Sequence, residues 1–261
     1  MILTIDIGNT TVALGCLERE GENYAIRYAG KMSTLPAWGA ADYLQTMRRM
    51  LKKAGVGTEA LEGAVLSSVV PCLVAPLRCC VRAMLGKEPV VITSQSDTGL
   101  SYQVPDPQRV GLDRLVDSAW VANRFPLPAV TVDMGTATTF NVLDEGAQFL
   151  GGIIAPGLQT ALGALSDRAA QLPEVELVTP GYVIGRNTEE CMLSGAVAGA
   201  AAMIDGMVAR IERELGKPVT LVMTGGLARH VESLCSHPHV YDPHLLSKGL
   251  ALLYERNCPQ S

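Results

Sequence analysis

Ile2-Leu3-Thr4-Ile5-Asp6-Ile7-Gly8-Asn9-Thr10-Thr11 is echoed further along the chain by Val130-Thr131-Val132-Asp133-Met134-Gly135-Thr136-Ala137-Thr138-Thr139. Placing Asp6 on Asp133 also places Thr4 on Thr131, Gly8 on Gly135 and Thr11 on Thr138. In each copy a β-branched apolar run reaches an Asp, then a Gly, then a hydroxyl-rich turn. An apolar run then resumes at Val12-Ala13-Leu14 or at Phe140-Asn141-Val142. The pattern predicts strand, tight turn, strand. A hairpin tip with a carboxylate, a glycine and several hydroxyls suits a magnesium-bound phosphate chain. Backbone N–H groups approach phosphate oxygens closely at glycine, hydroxyls add donors, and the Asp orients the cation directly or through water.

A duplicated hairpin in 261 residues favours two domains, expected at 1–115 and 116–261. The composition, 48% hydrophobic and 18% charged, is that of a globular protein with ample core. A formal net charge of −5 without a Lys/Arg-rich run gives no electrostatic footprint for nucleic acid. Residue 1 leads directly into a strand rather than a secretory leader, and the apolar stretch Met192–Ile204 is interrupted by Asp205, too short to span a bilayer. The seven cysteines are scattered without a CxxC pair, which fits reduced thiols. The expectation is a cytoplasmic protein with neither membrane nor nucleic-acid partner.

Between the hairpins, Tyr24–Met32 reads as a third strand of a meander and 37–54 as an amphipathic helix on Tyr43, Leu44, Met47 and Leu51. Arg48, Arg49, Lys52 and Lys53 form its solvated face. Strand 63–71 closing on a Ser/Pro turn, helix 72–85 and strand 89–93 follow, so strand and helix alternate as in an α/β layer structure. A polar loop, 97–108, then delivers Val110-Gly111-Leu112-Asp113-Arg114 and a helix to about Asn123. The second half repeats the plan, with a glycine-framed strand at 151–157 and a helix through Leu165. Irregular chain to Pro180 precedes a long helix from 189 to 215, with a hydroxyl cap ahead of Glu189 and Glu190. Val219 to Gly226 is a buried strand ending in a Gly-Gly turn; helices at 227–234 and 245–255 close the chain.

One Asp-x-Gly hairpin is weak evidence, since both residues are ordinary in turns. Two in matching contexts, with Thr224-Gly225-Gly226 offering flat backbone to an adenine or ribose, point to a nucleotide. Asp6-Ile7-Gly8-Asn9-Thr10, Asp133-Met134-Gly135-Thr136-Ala137 and Thr224-Gly225-Gly226 resemble the phosphate and adenosine motifs of the acetate and sugar kinase, heat-shock protein and actin superfamily. With Gly111-Leu112-Asp113-Arg114, Gly151-Gly152, Pro156-Gly157 and Gly185-Arg186-Asn187-Thr188-Glu189, the chain is similar throughout to type III pantothenate kinases.

That resemblance implies an α/β fold of two similar ribonuclease H-like (actin-like ATPase) domains with a nucleotide cleft between them. It implies ATP, Mg2+ and a monovalent cation, K+ or NH4+, as cofactors, and pantothenate as acceptor in the first step toward coenzyme A. It carries ATP binding onto Asp6, Ile7, Gly8, Asn9, Thr10, Thr11, Val12, Ala13, Thr136, Gly225 and Gly226, and the monovalent cation onto Asp133. Pantothenate binding falls to Tyr102, Gly111, Leu112, Asp113, Arg114 and Thr188, with Thr188 serving a neighbouring copy in a homodimer.

Local sequence leaves Asp113 open between capping a helix and catalysis; the resemblance assigns it the base that orients the acceptor hydroxyl and takes its proton. Arg114 offers a planar fork suited to a carboxylate, and without the motif reads as a surface ion-pairing residue. Sequence alone does not separate a monovalent cation at Asp133 from magnesium orientation. Cys235, His237, His239 and His244 crowd a short stretch, but their spacing matches no familiar zinc pattern and Pro238 and Pro243 mark turns. The small-residue run 195–202 reads as core or dimer interface. Loss of catalysis within the same fold, as in Bvg accessory factor regulators, is the alternative; the intact Gly-Leu-Asp-Arg and Asn-Thr motifs argue against it.

Overall fold

The computed structural model describes residues 1–169 and 171–258. In chain order the strands and helices are β1 (Ile2–Ile7), β2 (Thr11–Glu20), β3 (Asn23–Ser33), α1 (Ala40–Lys53), β4 (Gly63–Ser68), α2 (Val74–Leu85), β5 (Val90–Val91), β6 (Ser101–Tyr102) and α3 (Leu112–Arg124). They continue with β7 (Ala129–Met134), β8 (Ala137–Leu143), β9 (Gln148–Pro156), α4 (Leu158–Arg168), α5 (Thr188–Leu193), α6 (Gly199–Leu215), β10 (Thr220–Thr224), β11 (His239–Tyr241) and α7 (Leu245–Asn257). By compactness the chain divides into two units. Unit 1 holds residues 1–99, 105–120 and the stretch from 244; unit 2 holds 100–104 and 121–243. Where the sequence suggested a single cut after residue 115, compactness puts the division inside α3 and returns α7 to unit 1.

Unit 1 is built on a five-stranded sheet ordered β3-β2-β1-β4-β5, with β1 antiparallel to β2 and parallel to β4. Period-two alternation in β1 and β2 sends Leu3, Ile5, Ile7, Val12, Leu14 and Cys16 into one cluster. The same cluster takes Tyr43, Met47 and Leu51 of α1, spaced by four, and Leu77, Cys80 and Val81 of α2. Each such side chain contributes about 1.5–3 kcal/mol by leaving water, so a one-residue slip of the hairpin register would be heavily penalised. Arg48, Arg49, Lys52 and Lys53 lie exposed on the far side of α1, as expected. Helix α7 lies against β1, β2 and β4 and buries Leu245, Leu250, Ala251 and Leu253.

Unit 2 repeats the arrangement. Its sheet is ordered β11-β10-β7-β8-β9-β6, so β7, β8, β9, β10 and β11 occupy the places of β1, β2, β3, β4 and β5, and β6 is an added edge. Even the register irregularity recurs, between Cys16 and Leu17 in β2 and between Val142 and Leu143 in β8. The duplication read from the two hairpins is a duplication of whole units.

Helices α5 and α6 form one continuous run, Thr188–Leu215, joined by a π-helical turn at Ser194–Ala198. The apolar stretch expected to be short is part of a 28-residue helix that is long and apolar enough, by length and composition alone, to cross a membrane. Its Val197, Ala200, Ala201, Ile204, Val208 and Ile211 belong to the same buried cluster as Val130, Val132 and Met134, so this is a core face of unit 2. The helix is capped by the Asn187 side chain, which accepts from Glu190 N at 2.9 Å, rather than by a hydroxyl.

Three elements depart from the sequence reading, one of them β6, a two-residue strand inside the expected polar loop 97–108. The helix expected at 227–234 is a pair of 3-10 turns, Ala228–His230 and Glu232–Leu234, broken at Val231 with φ −116°. Eight residues are too few for an α-helix to repay its nucleation, and burial of Val231 fixes the bend instead. Strand β11 escapes the sequence because it is only three residues long and sits between Pro238 and Pro243, an edge strand recognisable only through its partner β10.

Candidate functional site

In unit 1 the first tip is set by register: Asp6 stands on β1 between Ala13 of β2 and Ser67 of β4. The buried Ser67 hydroxyl donates to Asp6 Oδ1 at 2.5 Å. Burial pushes the Asp6 carboxyl up to about 6 from its ordinary 3.8; the Ser67 hydrogen bond opposes this, and the nearby Asp113 charge adds to it. Gly8 N donates to Thr11 O at 2.9 Å and closes the turn, while Asn9 and Thr10 are exposed at its apex. Ile7, Val12 and Ala13 carry the tip on the strand ends.

Asp113 lies in the first turn of α3, where a carboxylate meets the positive end of the helix dipole. Its Oδ1 accepts from Arg114 N at 2.9 Å. A Cβ at Gly111 would come within 2.5 Å of that oxygen, so the glycine leaves room for the carboxylate. Arg114 is half-buried, which lowers its pKa, and Asp113 beside it acts the other way. Asp113 thus meets a helix-end amide, and its charge acts on the Asp6 carboxyl of the first tip.

The second tip, in unit 2, repeats the pairing with the parallel strand, on a turn one residue shorter than the first. Asp133 stands on β7 between Thr139 of β8 and Thr224 of β10, so Thr224 occupies the place of Ser67. The adenosine-type motif is packed directly onto this tip. Gly225 has φ +91°, and a Cβ there would meet Asp133 Oδ1 and the Met134 backbone at 2.5–2.6 Å. Gly226 follows, and Leu227 N donates to Met134 O at 3.3 Å. The Tyr241 hydroxyl donates to Gly225 O at 3.3 Å from the strand the sequence did not reveal. Gly157 is required for the same reason as Gly225: its Cβ would lie 2.3 Å from Gly135 O and 2.5 Å from Thr136 O. Thr136 itself is exposed at the apex.

Tyr102 and Thr188 lie elsewhere in unit 2. Tyr102 is paired with Phe149 on the added edge strand, ring centroids 6.4 Å apart. Thr188 opens α5 and lines an apolar groove with Leu165, Leu172, Cys191 and Met192. Glu190 fixes the turn before it, accepting from Arg186 N at 2.8 Å and from Asn187 Nδ2 at 2.9 Å. The histidine-rich stretch is occupied by local bonds: His237 meets Glu212 at 3.2 Å and Pro238 O at 2.9 Å, and His239 meets His237 O at 2.9 Å. Among the described residues no three His, Cys, Asp or Glu side chains are grouped to hold a metal.

Over residues 2–210 the sequence matches the type III pantothenate kinase family. The chain belongs to that family. Type III pantothenate kinases from Exiguobacterium sp. and Moorella thermoacetica are 38% and 37% identical to it, each over 257 residues. These alignments cover 98% of this chain and 99% and 100% of the relatives. As a type III pantothenate kinase family member the chain is an enzyme, a kinase. Solved structures agree on its fold. A Campylobacter jejuni protein assigned to the Baf family of transcriptional activators superposes with TM-score 0.60 at 17% identity, covering 98% of each chain. The activator of 2-hydroxyisocaproyl-CoA dehydratase from Clostridium difficile, solved with bound ADPNP, gives 0.51 at 13%, covering 97% of this chain and 93% of that one. These likenesses establish the actin-like ATPase fold for the kinase family member and nothing finer.

Residues not singled out from sequence also support the tips: Ser67 and Tyr241 as described, Thr34 through its hydroxyl on Gly8 O and Thr160 through its hydroxyl on Thr136 O. Ser67 alone had a readable signal, since extending the repeat to the next parallel strand makes it the counterpart of Thr224.

Proposed function

We propose that the enzyme transfers the γ-phosphoryl group of ATP to the primary hydroxyl of pantothenate, giving 4'-phosphopantothenate and ADP as the first step toward coenzyme A. The observation that carries this beyond family membership is the position of Asp113, on a helix N-terminus and electrostatically linked to the Asp6 tip. In this reading the acceptor oxygen attacks the γ-phosphorus as its proton passes to the Asp113 carboxylate, and the bond to the β,γ-bridging oxygen breaks with ADP as leaving group. Arg114 pairs with the pantothenate carboxylate, with Gly111 and Leu112 shaping the turn and Tyr102 and Thr188 contributing further contacts. Residues 6–13 and Thr136 hold phosphate, and Gly225 and Gly226 hold the adenosine.

The donors at the two tips are carboxylates, hydroxyls and backbone groups, hard oxygen and N–H chemistry that fits Mg2+ with phosphate and, at Asp133, K+ or NH4+. Without a three-residue protein set among the described residues, a cation here would draw much of its shell from phosphate and water. When bound, it supplies charge neutralisation of the transferring phosphoryl group.

A homodimer fits the apolar groove beside Thr188 and the exposed Tyr182, Val183 and Ile184 before it; a second copy covering them would bring Thr188 to its partner's substrate. The reading includes a cytoplasmic location and neither membrane nor nucleic-acid partner. A Bvg accessory factor-like regulator is not favoured, because the Gly111–Arg114 and Asn187-Thr188 motifs are intact.

The test is ADP release by purified enzyme with ATP and Mg2+, with and without pantothenate and K+ or NH4+. Release that requires both additions supports the proposal, and release indifferent to pantothenate removes the acceptor assignment. Sedimentation at micromolar concentration checks the dimer: a monomer refutes that part.

A further inference from the structure

The backbone of each tip carries carbonyl oxygens as well as N–H groups, and a carbonyl aimed at a phosphate would repel it. In the first tip the carbonyls of Gly8, Thr10 and Thr11 are all turned to donors of the protein itself. Thr11 O accepts from Gly8 N at 2.9 Å. The other two are taken by one residue: Thr34 Oγ1 donates to Gly8 O at 2.7 Å, and Thr34 N donates to Thr10 O at 2.9 Å. Thr34 immediately follows β3, the strand that pairs Ser33 with Thr11. Asn9 and Thr10 remain exposed, and their N–H groups have no acceptor among the described residues.

In the second tip one apex carbonyl, that of Thr136, is held in a similar way. Thr160 Oγ1 donates to Thr136 O at 2.7 Å, and Gly157 N donates to the same oxygen at 3.1 Å, both from the chain that follows β9. The two threonines are not in equivalent alignment positions, yet each reaches back from beyond the third strand of its meander to hold a tip carbonyl.

From this we infer that Thr34 is a positioning residue for the nucleotide, its hydroxyl holding the Gly8 carbonyl inward so that the 8–11 turn presents N–H groups to phosphate. The inference rests on the nucleotide half of the proposed function. Thr34 touches no substrate and acts through Gly8 and Thr10. The geometry also separates its two bonds: the backbone bond to Thr10 survives any side-chain change, whereas the bond to Gly8 depends on the hydroxyl.

The experiment is calorimetric titration of the full chain with the Mg2+ complex of a non-hydrolysable ATP analogue, in the absence of pantothenate, alongside thermal denaturation. Thr34→Val keeps the shape and removes the donor; Thr34→Ser keeps the donor. Thr34→Val is expected to weaken analogue binding about tenfold, the scale of one lost hydrogen bond at an ordered turn, and Thr34→Ser to stay within about twofold of wild type. In the steady state the same Thr34→Val change should raise KM for ATP and leave KM for pantothenate unmoved. Should Thr34→Val not fold, Thr34→Ala is measured in its place with the same expectation. Equal analogue affinity in Thr34→Val and wild type overturns the inference, as does a loss in Thr34→Ser matching that in Thr34→Val. Because the titration omits pantothenate, a wrong acceptor assignment leaves its outcome standing; a wild type that does not bind the analogue removes the nucleotide reading and this inference with it.

Discussion

Asp6 is held in a state that favours its neutral form, with burial outweighing the hydrogen bond from Ser67. An acid whose folded pKa lies above its unfolded value lends stability that is full below the unfolded pKa and lost as pH rises through the folded one. For Asp6 the loss therefore runs from about 3.8 to about 6, and at neutral pH the ligand-free protein bears a cost of up to about 3 kcal/mol. Asp6→Asn should consequently be more stable than wild type at pH 8, with the gap closing toward pH 4, while losing activity. Urea unfolding at the two pH values, without nucleotide or divalent cation, checks this, and an equal or reversed gap refutes it. Ser67→Ala removes a donor that favours the carboxylate and should shift the midpoint of that pH dependence further upward. The carboxylates were legible in the sequence because their turn chemistry is local. Ser67 and Thr34 were harder to read because their function exists only across hydrogen bonds spanning 61 and 26 residues.

At the scale of the element, the turns hold two kinds of glycine. Gly21 has φ +63° and open space around the position of a Cβ, so Gly21→Ala should cost only backbone strain, about 1–2 kcal/mol. Gly225 adds a clash with Asp133 and the Met134 backbone to its φ of +91°. Gly225→Ala should cost several kcal/mol, about 2–4, and displace the turn from the second tip. Denaturation midpoints of the two variants should differ in that order, and equal midpoints would count against the packing described. Replacing the Asn187 cap by Ala should cost about 1 kcal/mol and loosen the turn holding Thr188, seen as faster amide exchange at Thr188–Glu190. Long amphipathic elements such as α1 and α6 were read correctly because their burial repeats over several turns. The 227–234 segment and β11 were not, because there one buried residue or one neighbouring strand decides the conformation.

At the scale of the whole molecule, the repeated strand order shows two copies of one unit, and α7 closes the first copy from the far end of the chain. Deleting residues 244–261 should therefore destabilise β1, β2 and β4, exposing the face that Leu245, Leu250, Ala251 and Leu253 cover. Far-UV circular dichroism and denaturant unfolding of that truncation should show loss of unit 1; an unchanged cooperative transition would contradict the assignment of α7. The duplication was visible from 10-residue hairpins, but the return of α7 was not, because an amphipathic helix does not encode which sheet it covers. The central claim is a pantothenate-directed phosphoryl transfer that depends on Asp113. The most direct measurement is mass spectrometry of products from ATP, Mg2+, K+ and pantothenate incubated with wild type and with Asp113→Asn. Singly phosphorylated pantothenate from wild type, reduced at least about a hundredfold in the variant, is the predicted result. Equal product from both proteins, or ATP consumed by wild type without phosphorylated pantothenate, would contradict the account.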